Sequence, residues 1–287
     1  MVNLLGLQIP RELFRILVAW VVLSVIGAAL VWFVLGPHLP PGTMSDVASG
    51  QTADNTVMVT AVTPIIILLA LYFGYCLTQF RHRGGTLQDG APVRGDGKTM
   101  GIWIAATTAI VLGLAGWGSY ELFPGQHGAG GGMGPSPLSI AVPSNSANAL
   151  KVQVIGQQWQ WTFRYPDNGD FEADQLVLPV DQLVEFHVTS LDVIHSFWAI
   201  DLGVKADAVP GADNIAFAQA SRTGAFEVRC AELCGLWHGH MYTAGRVTTQ
   251  DDFQAWAAQE QQTLAPATKN LPPYSPIYYP TPVVRGT

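Results

Sequence analysis

Charge is scarce in this sequence: Asp, Glu, Lys and Arg make up 12% of its 287 residues. The 14 basic side chains are outnumbered by 21 acidic ones, for a net charge of −7. No basic surplus is left for a phosphate backbone, which excludes nucleic acid as a partner. Cysteine is scarcer still, at three. Three thiols cannot all pair, and so few exclude a disulfide framework as the source of stability. The sequence has no Cys-x-x-Cys-His, so no attached c-type haem is expected.

What takes the place of charge is hydrophobic, at 49% of residues. Three apolar runs are long enough to cross a bilayer, which takes roughly 20 residues. They lie at about residues 13–35, 57–80 and 100–123. Residues 1–124 therefore read as a transmembrane anchor, a two-helix hairpin plus one extra N-terminal span. Pro64 falls inside the second run, where neighbours in a membrane helix satisfy the freed carbonyl. Arg11 and Arg15 flank the first run, and Arg81, Arg83, Arg94 and Lys98 lie between the second and third. Residues 36–56 hold no Lys or Arg. The positive-inside rule then puts the N-terminus in the cytoplasm and everything after the third span outside. This describes a multi-pass protein of the cytoplasmic (or inner) membrane. "GAAL" at Gly27 to Leu30 also fits a signal-peptide cleavage site. The apolar run continues past it through "VWFVL", which favours an uncleaved helix.

Residues 125–148 are rich in Gly, Pro and Ser and read as a flexible linker. The texture then changes. Across 149–264, short β-branched and aromatic runs such as "LKVQVIGQQWQWTFRY", "LVEFHVTSL" and "GAFEVRC" alternate with turn formers such as "PDNGD" and "VPGAD". This predicts an all-β sandwich or barrel. "DDFQAWAAQEQQTL" predicts a terminal amphipathic helix with Phe253, Trp256 and Ala257 on one face. Residues 265–287, rich in Pro and Tyr, read as an extended tail. Up to residue 124 the chain has six basic and six acidic residues, and beyond it eight and fifteen. An acidic outer domain suits a basic partner, steered in a salt-sensitive way. Acidic surfaces also serve solubility alone.

Cys76 lies in an apolar run and reads as a buried, inert thiol. Cys230 and Cys234 share one stretch, "CAELCGLWHGHM", with His238, His240 and Met241. A disulfide is one reading, giving a membrane-anchored structural domain. It would close a small loop that constrains the unfolded chain little, and it leaves His238 and Met241 unused. Zinc is another, but zinc has no need of a thioether. Soft thiolate with imidazole and thioether points to copper. Two thiolates can bridge two copper ions, each of which then takes one imidazole and one weak axial ligand. His238 and Met241 supply part of that set. The second imidazole comes from elsewhere. His195, in "DVIHSFW", falls at a strand end, where a sandwich builds its metal sites. His240 is the rival, but one glycine separates it from His238 and both rings would crowd one ion. His195 is the ligand this reading selects.

The pattern Cys230-x-Glu232-x-Cys234-Gly235-x-x-His238-x-x-Met241, with His195 upstream, resembles the dinuclear CuA centre of cytochrome c oxidase subunit II. The resemblance runs from about Leu150 to Trp256, and more loosely through the membrane hairpin. It implies a cupredoxin fold after the transmembrane helices. It also implies that the backbone carbonyl of Glu232 binds one copper while its side chain reaches a Mg²⁺ at the boundary with the catalytic subunit. "GQQWQW" at 156–161 is similar to the family's aromatic region, which implies that Trp159 receives electrons from cytochrome c, ringed by acidic groups. Alternation along one strand would turn Trp159 and Trp161 to the same side. The partners implied are the haem-bearing subunit I, other oxidase subunits, cytochrome c and membrane lipid.

The implied activity is electron input to a respiratory haem–copper oxidase. Electrons would pass from cytochrome c to CuA and on to haem in subunit I, with no catalytic site in this chain. A closed ligand set suits this, because it leaves no position for substrate. Phe197, Trp198, Leu236 and Trp237 are expected to keep water from the site. The sequence departs from the family at Gln157, Gln160 and Gly101, where His, Tyr and Glu are usual. The missing Glu would suit a CuA-bearing subunit of a related nitric oxide reductase. A quinol oxidase subunit would lack the copper ligands, and nitrous oxide reductase would need a propeller domain for which this chain has no room.

Overall fold

Residues 11 to 35 contain one glycine and no proline, and nothing interrupts their winding. In the computed structural model, which describes residues 2–4, 7–81, 84, 95–122 and 146–268, a short hairpin of β1 (Val2–Leu4) and β2 (Leu7–Ile9) leads into α1 (Arg11–Leu30). A π-helical segment, Val31–Leu35, continues α1. Two further helices follow, α2 (Asp46–Gln79) and α3 (Gly97–Leu122). Among the described residues, three helices are long and apolar enough to cross a membrane. α2 starts well before the expected residue 57, because Ser45 caps it: Ala48 N donates to Ser45 Oγ at 3.0 Å. Pro64 sits inside α2. The chain divides into two compact units, Met1–His38 with Ala53–Pro124, and Leu39–Thr52 with Gly125–Thr287.

In the first unit, Trp20 Nε1 donates to the Pro64 carbonyl at 2.8 Å. Gly27 faces Thr63 and Ile67, where an added Cβ would come within 2.9 Å. A small residue there lets α1 and α2 approach closely, as membrane helices do.

The second unit is a sandwich of two five-stranded sheets. Its strands are β3 (Leu150–Gln157), β4 (Gln160–Tyr165), β5 (Phe171–Ala173), β6 (Leu176–Pro179), β7 (Leu183–Ser190), β8 (His195–Ala199), β9 (Val204–Ala208), β10 (Asn214–Gln219), β11 (Gly224–Cys230) and β12 (Tyr242–Thr248). One sheet runs β10-β7-β3-β4-β5 and the other β6-β12-β11-β8-β9. β9 shows the pattern that drives this: Val204, Ala206 and Ala208 are buried while Lys205 and Asp207 face solvent. Val152, Val154, Phe163, Phe186 and Val188 of one sheet form a single core with Phe197, Ala199, Val204 and Val228 of the other. Tyr165 ties the sheets together, its hydroxyl donating to the Val177 carbonyl at 3.0 Å and accepting from Val177 N at 2.9 Å. α4 (Gln250–Thr268) packs Phe253, Trp256 and Ala257 on the core, the face its spacing predicts. It continues through residues 265–268, where the composition predicts an extended tail. The rest of that tail, and the linker up to residue 145, lie outside the described residues.

Residues 39–52, which look like a mere connector, belong to this unit. Met44 is buried in the sandwich core. Ser45 Oγ donates to the Leu202 carbonyl at 2.7 Å, Gln51 Nε2 to the Gly203 carbonyl at 2.9 Å, and Ser221 N to the Met44 carbonyl at 2.9 Å. Gly203 takes φ +67°, and a Cβ there would stand 2.9 Å from Ala48 Cα. This strap grips the turn after β8 and the turn before β11. His195 begins β8 and Cys230 ends β11, so their side chains sit at the opposite end of the sandwich.

Candidate metal centre

β8 and β11 are antiparallel neighbours, with Cys230 opposite Phe197. That register brings the start of β8 and the end of β11 to one rim. His195 Nδ1 lies 3.9 Å from Cys230 Sγ. The chain then loops from Ala231 to Met241 and returns as β12, with Cys230 N donating to the Met241 carbonyl at 3.0 Å. Gly235, at φ +118°, makes the turn that brings Cys234 back beside Cys230, and their sulfurs stand 3.7 Å apart. Cys234 Sγ is 3.5 Å from His238 Nδ1 and 3.7 Å from Met241 Sδ, and Cys230 Sγ is 3.2 Å from the Glu232 carbonyl oxygen. Among the described residues, His195, Cys230 and Cys234 form a group whose ligand atoms all lie within 4.8 Å of one another.

The structure thus brings His195, Cys230, Cys234, His238, Met241 and the Glu232 carbonyl together. His240 is not among them: it is exposed, and its ring meets Trp237 edge-on at 5.3 Å. The arrangement has two ends. His195 and the Glu232 carbonyl attend Cys230, and His238 and Met241 attend Cys234. Burial pushes the Cys234 thiol up to about 12, and the adjacent Cys230 adds to this. Two buried thiols so close resist ionising together unless a cation offsets the charge. Soft sulfur, imidazole and thioether in one buried group fit copper.

Three further residues hold this group, and none carries a motif of its own. Asp192 Oδ1 is 2.8 Å from His195 Nε2, which fixes Nδ1 as the nitrogen facing sulfur. Burial alone would raise the Asp192 carboxyl. Donation from Gln158 N (2.7 Å), His195 and Val193 N (2.6 Å) outweighs it and holds the group below the usual carboxylate range. Gly156 lies under the His195 ring, where a Cβ would come within 3.1 Å of both His195 and Trp161. Gln158 Nε2 donates to the Cys234 carbonyl at 2.8 Å.

Two expectations change here. Trp159 and Trp161 do not share a strand face, because β3 and β4 pair Gln157 with Gln160 and leave Trp159 in the hairpin turn between them. Trp161 is buried against His195 and Phe197 at 6.0 and 5.9 Å. Trp159 is half-buried, and its Nε1 donates to the Cys234 carbonyl at 3.2 Å. Leu236 and Trp237 do not shield the site, being 84% and 50% exposed. Met241, Phe197 and Trp161, all buried, close it from the core side. The loops flanking Trp159 also expose Leu191, Val193, Ile194 and Leu233. Asp192 and Glu232 are exposed beside these apolar residues, and residues 149–264 carry fifteen acidic and six basic side chains.

Residues 171–247 match the family described as cytochrome C oxidase subunit II, periplasmic domain. The chain is 30% identical over 283 aligned positions to the cytochrome c oxidase subunit 2 of Synechocystis sp., covering 88% of this chain and 83% of that one. It is also 30% identical over 306 aligned positions to that of Thermostichus vulcanus, covering 92% and 90%. Among solved structures, the periplasmic domain of subunit II of cytochrome oxidase (CoxB) of Bradyrhizobium japonicum is 34% identical. It aligns with 43% of this chain and 99% of that one at a TM-score of 0.41.

Proposed function

The chain belongs to the cytochrome c oxidase subunit II family, and we propose that it is the electron-input subunit of its oxidase, holding a dinuclear CuA centre at residues 230–241. One observation carries this reading. Two imidazole nitrogens, a thioether and a backbone carbonyl converge on two paired sulfurs at 3.2 to 3.9 Å. Copper bound there supplies a one-electron store spread over two ions. Cys230 and Cys234 would hold it through their sulfurs, with His195 and the Glu232 carbonyl as further donors beside Cys230 and His238 and Met241 beside Cys234. A ligand set closed in this way would leave copper no position for substrate, which suits electron transfer rather than bond chemistry.

Trp159 is the point of electron input. Its indole hydrogen bond to the Cys234 carbonyl gives a short path from the surface to a bridging ligand. A basic cytochrome c is drawn by the acidic domain and seats on the apolar loops around Trp159. The exposed Glu232 side chain is offered to Mg²⁺ at the boundary with the haem-bearing subunit I. Residues 1–124 anchor the chain in the lipid of the cytoplasmic or inner membrane, 125–148 link, and 149–264 form the copper domain outside, joined by the strap at 39–52.

The test is stopped-flow reduction of the purified complex by reduced cytochrome c. Rapid reduction that slows with rising salt, coupled to oxygen consumption, is the expected result. Reduction by quinol but not by cytochrome c would contradict it, and turnover of nitric oxide in place of oxygen would reassign the acceptor.

A further inference from the structure

Gln158 is an exposed residue at the tip of the β3–β4 hairpin, yet it is bonded to both halves of the metal group. Its side-chain Nε2 donates to the Cys234 carbonyl at 2.8 Å. Its main-chain N donates to Asp192 Oδ2 at 2.7 Å, and the other oxygen of Asp192 is 2.8 Å from His195 Nε2. The thiolate loop and the upstream imidazole come from segments 39 residues apart, at His195 and Cys234. Among the described residues, Gln158 joins them by hydrogen bonds. A long, exposed side chain loses much rotamer freedom when fixed, so such a contact needs a compensating gain. The gain available is geometric. The Cys234 carbonyl accepts from Gln158 and from Trp159 Nε1, which uses both its lone pairs and fixes the peptide plane that carries the Cys234 sulfur.

We propose that Gln158 is a positioning residue for the copper centre, and that its amide sets the reduction potential by orienting and polarising the Cys234 peptide. This deepens the CuA reading and rests on it. An N–H aimed at a ligand's carbonyl places the positive end of a dipole near the site and favours the reduced form. Removing that donor lowers the potential. Replacing it with a longer cationic donor keeps or raises the potential.

The experiment is a redox titration with electron paramagnetic resonance on the whole copper-loaded protein, comparing parent, Gln158→Met and Gln158→Lys. Gln158→Met keeps the side-chain length and loses the donor. It is expected to shift the equilibrium about three- to tenfold toward the oxidised form, ~28–59 mV for one electron, with altered copper hyperfine splitting. Gln158→Lys is expected at or above the parental potential. A Gln158→Met protein with parental potential and spectrum would overturn the proposal and make Gln158 an ordinary surface residue. Should Gln158→Met fail to hold copper, Gln158→Lys decides: retention there supports the donor role, and loss there too overturns it. A parent with no mixed-valence signal would instead sink the CuA reading and this proposal with it, so the two failures are told apart.

Discussion

Asp192 holds His195 by its outer nitrogen: Oδ1 stands 2.8 Å from Nε2, and Nδ1 is left facing Cys230 Sγ at 3.9 Å. One carboxylate thereby chooses which ring nitrogen is offered to metal. Asp192→Asn keeps the shape and loses the charge. Copper affinity is expected to fall about 10- to 100-fold, read by competition with a chelator. Parental affinity would show that packing against Gly156 and Trp161 is enough to orient the ring.

His195→Ala removes the imidazole beside Cys230, while His238 and Met241 remain at Cys234. The expected outcome is loss of one copper per chain and of any mixed-valence signal. A variant with two coppers and the parental spectrum would remove His195 from the ligand set.

Trp159→Phe keeps an aromatic ring but loses the hydrogen bond to the Cys234 carbonyl. Both coppers should stay bound while reduction by cytochrome c slows at least tenfold in stopped flow. Unchanged kinetics would take the input role away from Trp159.

The strap predicts a stability effect far from the metal. Gly203→Ala puts a Cβ at a left-handed position against the Ala48 backbone. It is expected to cost about 1–2 kcal/mol for the backbone and about 1–3 kcal/mol for overpacking. Denaturation of the full chain in detergent, followed by near-ultraviolet circular dichroism, reads it. An unchanged midpoint would mean that residues 39–52 do not stay docked.

What the sequence made legible, and what it hid, divides along physical lines. The ligand loop could be read because four side-chain donors lie within twelve residues, from Cys230 to Met241, where local spacing is the signal. His195 was readable because it starts a strand, and strand ends gather at the rims of a sandwich. Asp192 and Gln158 were not readable. Each is an ordinary polar residue until the β3–β4 turn closes onto the loop at Cys234, and no local pattern encodes that closure. The strap was hidden for another reason: "PGTMSDVASG" has the composition of a connector. Its one usable signal was Ser45 followed by Asp46, a helix start that would have moved α2 forward to its observed beginning. Leu236 and Trp237 misled because apolar residues beside a metal loop suggest shielding. Here the loop turns at Gly235 and leaves them facing outward.

Cys230 and Cys234 are expected to hold two copper ions jointly. Metal analysis and electron paramagnetic resonance on the purified full-length protein, loaded with copper and half-oxidised, test it most directly. Two coppers per chain and a seven-line hyperfine pattern from one electron shared by two nuclei are expected. A four-line pattern from a single copper, or a copper-free protein with Cys230 and Cys234 joined in a disulfide, would contradict it.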